Sequence, residues 1–359
     1  MTRLIAVLWL LQLHAFGAFA LLQPQQQQSI QTTPVVICPG FGNDQIDYYE
    51  PLQQPRQVGL IAALERRGFD PDLIFTIPVQ RSDWIRVAGG LLDWKFYANQ
   101  ALPTGNGYGW YLKRFQETVD KAYESSLAVN NNNNNEASRV LVIGHSAGGW
   151  LARAGMGGGV WDPDTETKTA DRICGLVTVG AIHKPPVDVG SCVTRGALAY
   201  TDQAYPGAFL KGIGYVSVGG DAIVGDNSKE IEPESQADSL YATRGEGSAA
   251  RVAFTSYDAV CGTGDVTGDG VVPLEWTALE GAKQLKLDGV LHSINEAGTT
   301  IPTDRWYGSE GVIDRWLPTA LEEAGISTSS ANSSSNTNAN TFDLDGLQKW
   351  ASGIFQQQQ

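Results

Sequence analysis

The stretch from Arg139 to Ala154, RVLVIGHSAGGWLARA, constrains the fold more than any other part of the chain. It begins with a short β-branched and aliphatic run, Arg139–Ile143, that is typical of a buried strand. Helix-favouring residues begin at Trp150. Between them, residues 144–148 read GHSAG and fit G-x-S-x-G, a strand-to-helix turn that lifts a serine clear of the backbone. We therefore predict Ser146 at the carboxyl edge of a parallel sheet, above the amino terminus of a helix.

The two glycines of this turn have a steric explanation. A sharp turn brings the strand and the helix so close that a Cβ at Gly144 or Gly148 would collide with the opposite backbone. The alternative is a glycine turn with an inert serine, because a chain with 41 glycines produces such a motif by chance. The strand before the motif and the helix after it favour the first interpretation.

Length and charge restrict the class of protein. The 359 residues could hold one large domain or two, and an α/β fold of this size is commonly one. A hydrophobic content of 42% is enough for a core. A net charge of -14 repels phosphate backbones and anionic bilayers, so nucleic acid is not expected as a partner.

The cysteines do not indicate a metal site. Cys38, Cys174, Cys192 and Cys261 include no C-x-x-C pair, which disfavours zinc. A disulfide between Cys174 and Cys192 in an oxidising compartment is one alternative, and buried free thiols are the other. No metal and no cofactor is predicted.

The amino terminus has the pattern of a targeting segment. Residues 1–20 contain one arginine, an apolar run at 4–11 and the A-x-A cleavage pattern at 18–20, so we predict a signal peptide and a secreted or lumenal protein. Polar residues at 12 and 14 interrupt the run, which makes an uncleaved anchor the less favoured alternative. Residues 16–20, FGAFA, resemble the junction of plastid presequences in algae with secondary plastids, so a plastid is the alternative destination.

The remaining sequence alternates strand and helix patterns. Residues 21–33 are predicted to be a Gln/Pro-rich linker, 34–325 the folded domain, 129–137 an Asn-rich loop and 326–359 a low-complexity tail. Predicted strands are Val35–Cys38, Leu73–Val79, Ile173–Val179, Tyr215–Val218, Arg251–Tyr257 and Gln284–Leu287. Predicted helices are Val58–Arg67, Trp110–Ala128, Ile313–Glu323 and a small amphipathic one at Phe342–Phe355. This order predicts an α/β fold with a mostly parallel central sheet and helices on both faces.

An aromatic segment interrupts this alternation. Residues 80–109 carry aromatic side chains among scattered glycines, which suits a cap or lid over an apolar substrate. We take Trp84, Trp94, Tyr108 and Trp110 as candidate substrate-binding residues. The alternative is a surface excursion that packs on the core.

The base that would activate Ser146 follows by elimination, because the chain has only four histidines. His14 lies in the predicted signal segment, and His145 should point away from the serine because adjacent side chains on the turn diverge. In a sheet of this kind the order along the chain is serine, acid, histidine. His292 follows the last predicted strand with room before it for an acid, so we favour His292, with His183 as the alternative.

Six aspartates are candidates for the acid, namely Asp221, Asp226, Asp258, Asp265, Asp269 and Asp288. Asp269 lies between two glycines that allow a tight turn, and enough residues separate it from His292 for a crossover helix and a strand. We predict that its carboxylate holds the imidazole, with Asp221 and Asp265 as alternatives. Residues 265–269 also resemble a calcium loop, but they lack its full set of ligands.

Two backbone donors are expected to face the oxygen on which negative charge develops. One is the Ala147 N–H, directly after the serine, and the other is an N–H from the loop after the first strand, for which we choose Phe41.

Five stretches carry a resemblance to a known superfamily. VVICPGFGND, GHSAGGWLAR, VCGTGDVTGDGVVP, LDGVLHS and RWYGSEGVIDRWL span Val35 to Leu317 and resemble α/β-hydrolases of the lipase and esterase type. More narrowly, they are similar to a plant, algal and cyanobacterial group with this fold. The resemblance implies a catalytic triad of Ser146, Asp269 and His292, with an oxyanion hole at Phe41 and Ala147. A departure is GAIH at 180–183, where such lipases usually have Gly-Thr-Pro-His.

The expected activity is therefore hydrolysis of a carboxylic ester through an acyl-enzyme. The aromatic segment favours a small-molecule or lipid-like ester as substrate, with transient contact to a membrane surface. An acyltransferase or thioesterase would use the same three residues, and a non-catalytic binding protein could keep the same fold.

Overall fold

The computed structural model describes residues 28–131, 137–157, 169–186, 188, 192–230, 246–296, 299 and 301–328. The predicted signal peptide at 1–20, most of the Asn-rich loop and the predicted amphipathic helix at 342–355 lie outside the described residues.

Strands and helices alternate along the described chain. The strands are β1 (Gln28–Ser29), β2 (Val35–Cys38), β3 (Ile74–Thr76), β4 (Val140–His145), β5 (Ile173–Val179), β6 (Gly214–Asp221), β7 (Ile223–Val224), β8 (Thr267–Gly268), β9 (Lys283–Asp288) and β10 (Ile326–Ser327). The α-helices are α1 (Leu60–Arg66), α2 (Trp94–Tyr97), α3 (Gly109–Asn131), α4 (Ala147–Met156), α5 (Ala197–Ala204), α6 (Glu246–Cys261), α7 (Glu310–Ile313) and α8 (Leu317–Glu323). A long 3-10 helix covers Arg81–Leu92.

Six strands form a central sheet in the order β3-β2-β4-β5-β6-β9, and all its pairs are parallel. The chain runs from β2 outward to the edge strand β3 and then returns past β2 to β4. The strand order therefore reverses between β2 and β4, and the loops that leave the carboxyl ends of such strands diverge and open a crevice. Ser146 follows β4, and Phe41 lies in the loop after β2. The arrangement confirms the predicted α/β fold with a mostly parallel central sheet.

Each face of the sheet has its own hydrophobic core because side chains alternate along a strand. Val35 and Ile37 of β2 enter one core, which packs against α1, α7 and α8. Val36 and Cys38, the alternating positions, enter the other core, which packs against α3, α4 and α5. Helices thus cover both faces and hold β4 and its serine loop rigidly between two layers.

One predicted strand is wrong. Arg251–Tyr257 lies within α6 rather than in a strand. The buried residues Ala253, Tyr257 and Val260 are spaced by four and three positions, so they share one face of a helix. The other alanines of α6, at positions 249, 250 and 259, also favour the helix.

The ordered domain extends beyond the predicted boundaries. β1, within the predicted linker, pairs in parallel with β10, within the predicted tail. Ile30 is buried in the core, and the Gln28 side-chain amide donates to the Arg139 carbonyl at 2.9 Å. The predicted terminal helix Ile313–Glu323 is divided into α7 and α8, with a proline in the first turn of α8.

All four cysteines are buried and free. The disulfide alternative is therefore wrong, because the two candidate thiols have different surroundings. Cys174 enters the first core from β5 and contacts the Gln28 side chain at 3.3 Å, whereas Cys192 contacts Thr194 ahead of α5 at 3.1 Å.

Candidate active site

Ser146 occupies a strained turn between β4 and α4. Its φ of 53° and ψ of -127° are rare for a residue with a side chain. A Cβ on Gly144 would lie 2.5 Å from the Gly149 Cα, and one on Gly148 would lie 2.1 Å from the Cys38 carbonyl oxygen. The steric reason predicted for both glycines is confirmed.

The structure brings His292 to Ser146. The His292 Nε2 lies 2.9 Å from the Ser146 Oγ, and the His292 side chain is almost fully buried. His292 lies in the loop after β9, and its backbone N–H donates to the Asp269 carbonyl at 2.9 Å. The two loops are therefore tied together through their backbones as well as through their side chains.

Asp269, directly after β8, is buried, and its carboxylate accepts four hydrogen bonds. Its Oδ2 lies 2.8 Å from the His292 Nδ1 and accepts from the Tyr307 hydroxyl at 2.8 Å. Its Oδ1 accepts from the backbone N–H groups of Val271 at 3.0 Å and Val272 at 2.7 Å. Because a carboxylate only accepts, the neutral imidazole must carry its hydrogen on Nδ1. Nε2 is then an acceptor for the hydroxyl hydrogen of Ser146.

The alternative base lies elsewhere. His183 is buried, its Nε2 lies 2.9 Å from the Thr178 Oγ1, and its carbonyl accepts from Arg153. Burial, followed by the nearby charge of Arg153, lowers the pKa of His183 well below its ordinary value. His183 thus bonds Thr178 of the preceding strand β5 rather than Ser146.

The alternative acids are not brought to His292 either. Asp221 forms an ion pair with Lys286 and accepts from the Thr267 hydroxyl, and these hydrogen bonds lower its pKa. Asp265 is exposed. Of Asp221, Asp265 and Asp269, only Asp269 contacts the imidazole.

The loop after β2 packs closely against Ser146. A Cβ on Gly40 would lie 2.7 Å from the Ser146 Cβ, so the two backbones approach closely. Phe41 comes next, and its exposed ring packs on Trp84 with centroids 5.1 Å apart. Ala147, on the other side of the serine, is the first residue of α4, where N–H groups and the positive end of the helix dipole favour an anion.

The four aromatic candidates have different environments. Trp84 and Tyr108 are each only 5% exposed: Trp84 donates to the Asn43 carbonyl at 2.9 Å, and Tyr108 packs on Trp150. Trp110 is half-buried against Trp84, whereas Trp94 is 68% exposed. Trp84 thus supports the Phe41 loop from behind, and Trp94 presents its ring to solvent.

An ion pair fixes the aromatic segment to the core. The Asp83 carboxylate accepts from both Nη atoms of Arg114 on α3, at 2.7 and 3.2 Å. Hydrogen bonds from Arg114 are the largest of several causes that hold the pKa of Asp83 well below its usual value. The Arg114 guanidinium also lies over the Trp110 ring at 5.1 Å.

Three residues beside the site were not anticipated from the sequence. Tyr307 bonds Asp269, and Tyr48 bonds His145. The third is Gly180, whose φ is 58°. A Cβ on Gly180 would lie 2.9 Å from both the Asp269 Oδ2 and the His292 Nδ1, so the glycine leaves room for the hydrogen bond between those two atoms. Gly180 begins the stretch that departs from the lipase pattern and retains its glycine. A tyrosine carries no motif, so Tyr48 and Tyr307 gave no signal.

The part of the chain that the structure describes has neither a cluster of metal ligands nor a membrane-spanning helix. Within it, no group of three or more His, Cys, Asp or Glu could hold a metal ion. Nor is any helix of these residues long and apolar enough to cross a membrane.

Comparison with known proteins gives remote similarities of structure. No family model matches the chain, and no curated protein matches its sequence. A metagenomic carboxyl esterase of known structure is similar with a TM-score of 0.42 and 11% identity, over 82% of this chain and 77% of the other. The phospholipase PlaB from Legionella pneumophila is similar with a TM-score of 0.29 and 11% identity, over 53% of this chain and 39% of the other. Such similarities do not define an activity, and they give no support to the narrower plant, algal and cyanobacterial resemblance.

Proposed function

We propose that the chain is a serine hydrolase that cleaves carboxylic esters through an acyl-enzyme. One observation carries the proposal. A continuous hydrogen-bonded series joins the Ser146 hydroxyl, the His292 imidazole and the Asp269 carboxylate at 2.9 and 2.8 Å. A hydroxyl becomes nucleophilic when a neighbouring base accepts its proton, and the acid holds that base in the required tautomer.

In the proposed reaction the Ser146 Oγ attacks the ester carbonyl carbon while its proton moves to the His292 Nε2. The imidazolium that forms is stabilised by Asp269, which stays ionised. The C–O bond of the ester then breaks, and the proton on Nε2 passes to the leaving alkoxide. Water attacks the acyl-enzyme in the same way, and the carboxylic acid leaves as the proton returns to Ser146.

The backbone N–H groups of Phe41 and Ala147 are the proposed donors to the carbonyl oxygen as it gains charge. Two observations support this choice. Gly40, the neighbour of Phe41, lies against Ser146, and Ala147 is the first residue of α4. Loss of one such donor typically raises the barrier by about 3 kcal/mol.

The proposed substrate is a neutral, lipid-like ester. Apolar side chains more than 50% exposed are concentrated in the loop after β2 and in the aromatic segment, namely Phe41, Ile85, Leu91, Leu92, Trp94 and Tyr97. They suit an apolar acyl chain or brief contact with a lipid surface. The net charge of -14 favours an uncharged surface over an anionic one.

A fluorophosphonate probe tests the nucleophile. Wild-type protein should be labelled covalently, Ser146→Ala should not, and Ser293→Ala, which changes a serine beside His292, should be labelled as fast as wild type. Equal labelling of wild type and Ser146→Ala would reject Ser146. A panel of carboxylic esters and thioesters, with and without an acceptor alcohol, then separates hydrolysis from acyl transfer by the product released.

We further propose that the chain enters the secretory pathway, with a plastid as the alternative destination. The support is the residue 1–20 pattern alone. Sequencing the mature amino terminus tests it: cleavage after Ala20 is expected, and a mature chain that begins at Met1 would contradict it.

A further inference from the structure

A second series of buried hydrogen bonds runs behind Ser146. The Gly40 N–H donates to the Tyr48 Oη at 3.1 Å, and the Tyr48 Oη lies 2.8 Å from the His145 Nδ1. The His145 Nε2 lies 2.8 Å from the His292 carbonyl oxygen. Tyr48 and His145 are at most 2% exposed. This series, which we call the Tyr48–His145 relay, joins the loop after β2 to the loop that carries His292.

Chemistry fixes the direction of every hydrogen in the relay. The His292 carbonyl can only accept, so the His145 Nε2 must carry the hydrogen. A neutral imidazole has one N–H, so Nδ1 accepts from the Tyr48 hydroxyl, which in turn accepts from Gly40. Burial, and next the nearby His292, lower the pKa of His145 to about 3, so the ring is neutral near neutral pH. Burial also raises the pKa of Tyr48 well above its usual value, so its hydroxyl keeps its hydrogen.

We propose that Tyr48 and His145 are positioning residues that hold the Phe41 N–H in register with the imidazole of His292. This inference rests on the proposed function. The Gly40 amide directly precedes the Phe41 amide, and Gly40 also lies against Ser146, so fixing the Gly40 N–H anchors the backbone from which the Phe41 N–H projects. At the other end, the relay bonds the backbone of His292 itself. Reactive groups displaced by about 1 Å can lose about 100-fold in rate.

The surroundings of the relay favour this role over simple core filling. Tyr48 belongs to the hydrophobic core on the α1 face, and the His145 ring packs against Trp306 at 5.9 Å between centroids. Polar groups in such a core are costly unless every one of them is bonded, and fully bonded they specify one geometry. The ionisable groups that act on His145 are His292 and Asp269. The relay therefore contacts the candidate site through the backbone of His292, and its two side chains are buried from solvent.

The test compares variants of the full chain. The kcat of each is calculated from the concentration of active sites, which is titrated with a fluorophosphonate. Tyr48→Phe and His145→Leu should each lower kcat by about 10- to 100-fold with KM changed by less than about twofold, because the lost geometry matters in the transition state. His145→Gln keeps a donor for the His292 carbonyl and an acceptor for Tyr48, and should recover most of the loss. Tyr215→Phe, at a buried tyrosine on β6 outside the relay, is the matched control and should keep wild-type kcat.

The double variant Tyr48→Phe/His145→Leu separates a shared role from two independent ones. If both residues act through one relay, it should lose about as much kcat as the worse single variant. Circular dichroism melting checks folding, and His145→Gln gives an independent result if Tyr48→Phe does not fold. Variants with wild-type kcat per site, or a His145→Gln no better than His145→Leu, would overturn the relay alone. A wild type that neither reacts with the probe nor turns over esters would overturn the proposed function and the relay with it.

Discussion

The Tyr307 hydroxyl donates a 2.8 Å hydrogen bond to the same oxygen of Asp269 that faces the His292 Nδ1. It also accepts from the Gly220 N–H at 2.7 Å, so β6 and the loop of Asp269 are joined through one buried oxygen. Burial and the nearby Asp269 raise the pKa of Tyr307 well above its ordinary value, so the hydroxyl stays a donor. Tyr307 therefore holds the carboxylate in place as a neutral hydrogen-bond donor.

Replacing Tyr307 by Phe should lower both stability and turnover. The Gly220 N–H would be left buried without an acceptor, which costs about 1–3 kcal/mol in the free energy of unfolding. We expect kcat for an ester to fall by about tenfold, because Asp269 gains freedom to rotate. Tyr257→Phe is the matched control: its hydroxyl bonds the Gly270 N–H and the Ile223 carbonyl but not the carboxylate. Urea unfolding should show similar losses for both, and equal kcat losses would contradict a specific role of Tyr307.

The choice of acid is tested by two asparagine variants. Asp269→Asn should lower kcat by about 10³- to 10⁴-fold, because an amide can stabilise the wrong tautomer of His292. Asp221→Asn should change kcat by less than about threefold, because Asp221 pairs with Lys286 away from the imidazole. Steady-state kinetics with a chromogenic ester measure both. A larger loss in Asp221→Asn than in Asp269→Asn would reverse the assignment.

The parts of the fold predicted from the sequence are those with short-range causes. The strand-to-helix turn at Ser146 is specified by a strand, a turn and a helix within sixteen residues, and its glycines are required by contacts within that turn and with the neighbouring strand. His292 could be chosen because only four histidines exist. Asp269 could be chosen because its flanking glycines indicate a tight turn.

The parts that could not be predicted depend on long-range contacts. Tyr48 lies 97 residues from His145, and no local pattern links them. β1 and β10 pair through their backbones, so polar sequences at both ends carried no signal of order. Arg251–Tyr257 has β-branched and aromatic residues, and only its burial on one face, seen in the structure, shows the helical period.

The glycines of the strand-to-helix turn at Ser146 give a steric prediction. Gly148→Ala would place a Cβ 2.1 Å from the Cys38 carbonyl oxygen, so the strand end that leads into the Phe41 loop must move. We expect a loss of about 1–3 kcal/mol in the free energy of unfolding, typical of overpacking, and little remaining turnover. In α7, a Cβ at the exposed Gly311 meets nothing within 4 Å, so Gly311→Ala should not lower stability and should raise it by up to about 1 kcal/mol. Chemical denaturation that finds the two variants equally stable would contradict the close packing.

Two buried histidines give a prediction of stability against pH. Burial lowers the pKa of His145 from an ordinary 6.5 to about 3, and it lowers the pKa of His183 well below 6.5. Well above pH 6.5 both rings are neutral in the folded and unfolded chains, so they add no pH dependence. As pH falls below that value, the two histidines bind protons in the unfolded chain but stay neutral in the folded chain. The free energy of unfolding should then fall by about 1.4 kcal/mol per pH unit for each histidine.

The His145→Gln variant isolates one of these two contributions. Urea unfolding of wild type and variant is compared between about pH 6 and pH 5, where the dependence per histidine approaches one proton. Salt-bridged carboxylates such as Asp83 have a lowered pKa and weaken the fold only at lower pH, as they become protonated. The slope of unfolding free energy against pH should therefore be smaller in the variant by about one proton, whatever its stability at neutral pH. Equal slopes would mean that His145 accepts a proton in the folded chain, which its hydrogen bond from Tyr48 does not allow.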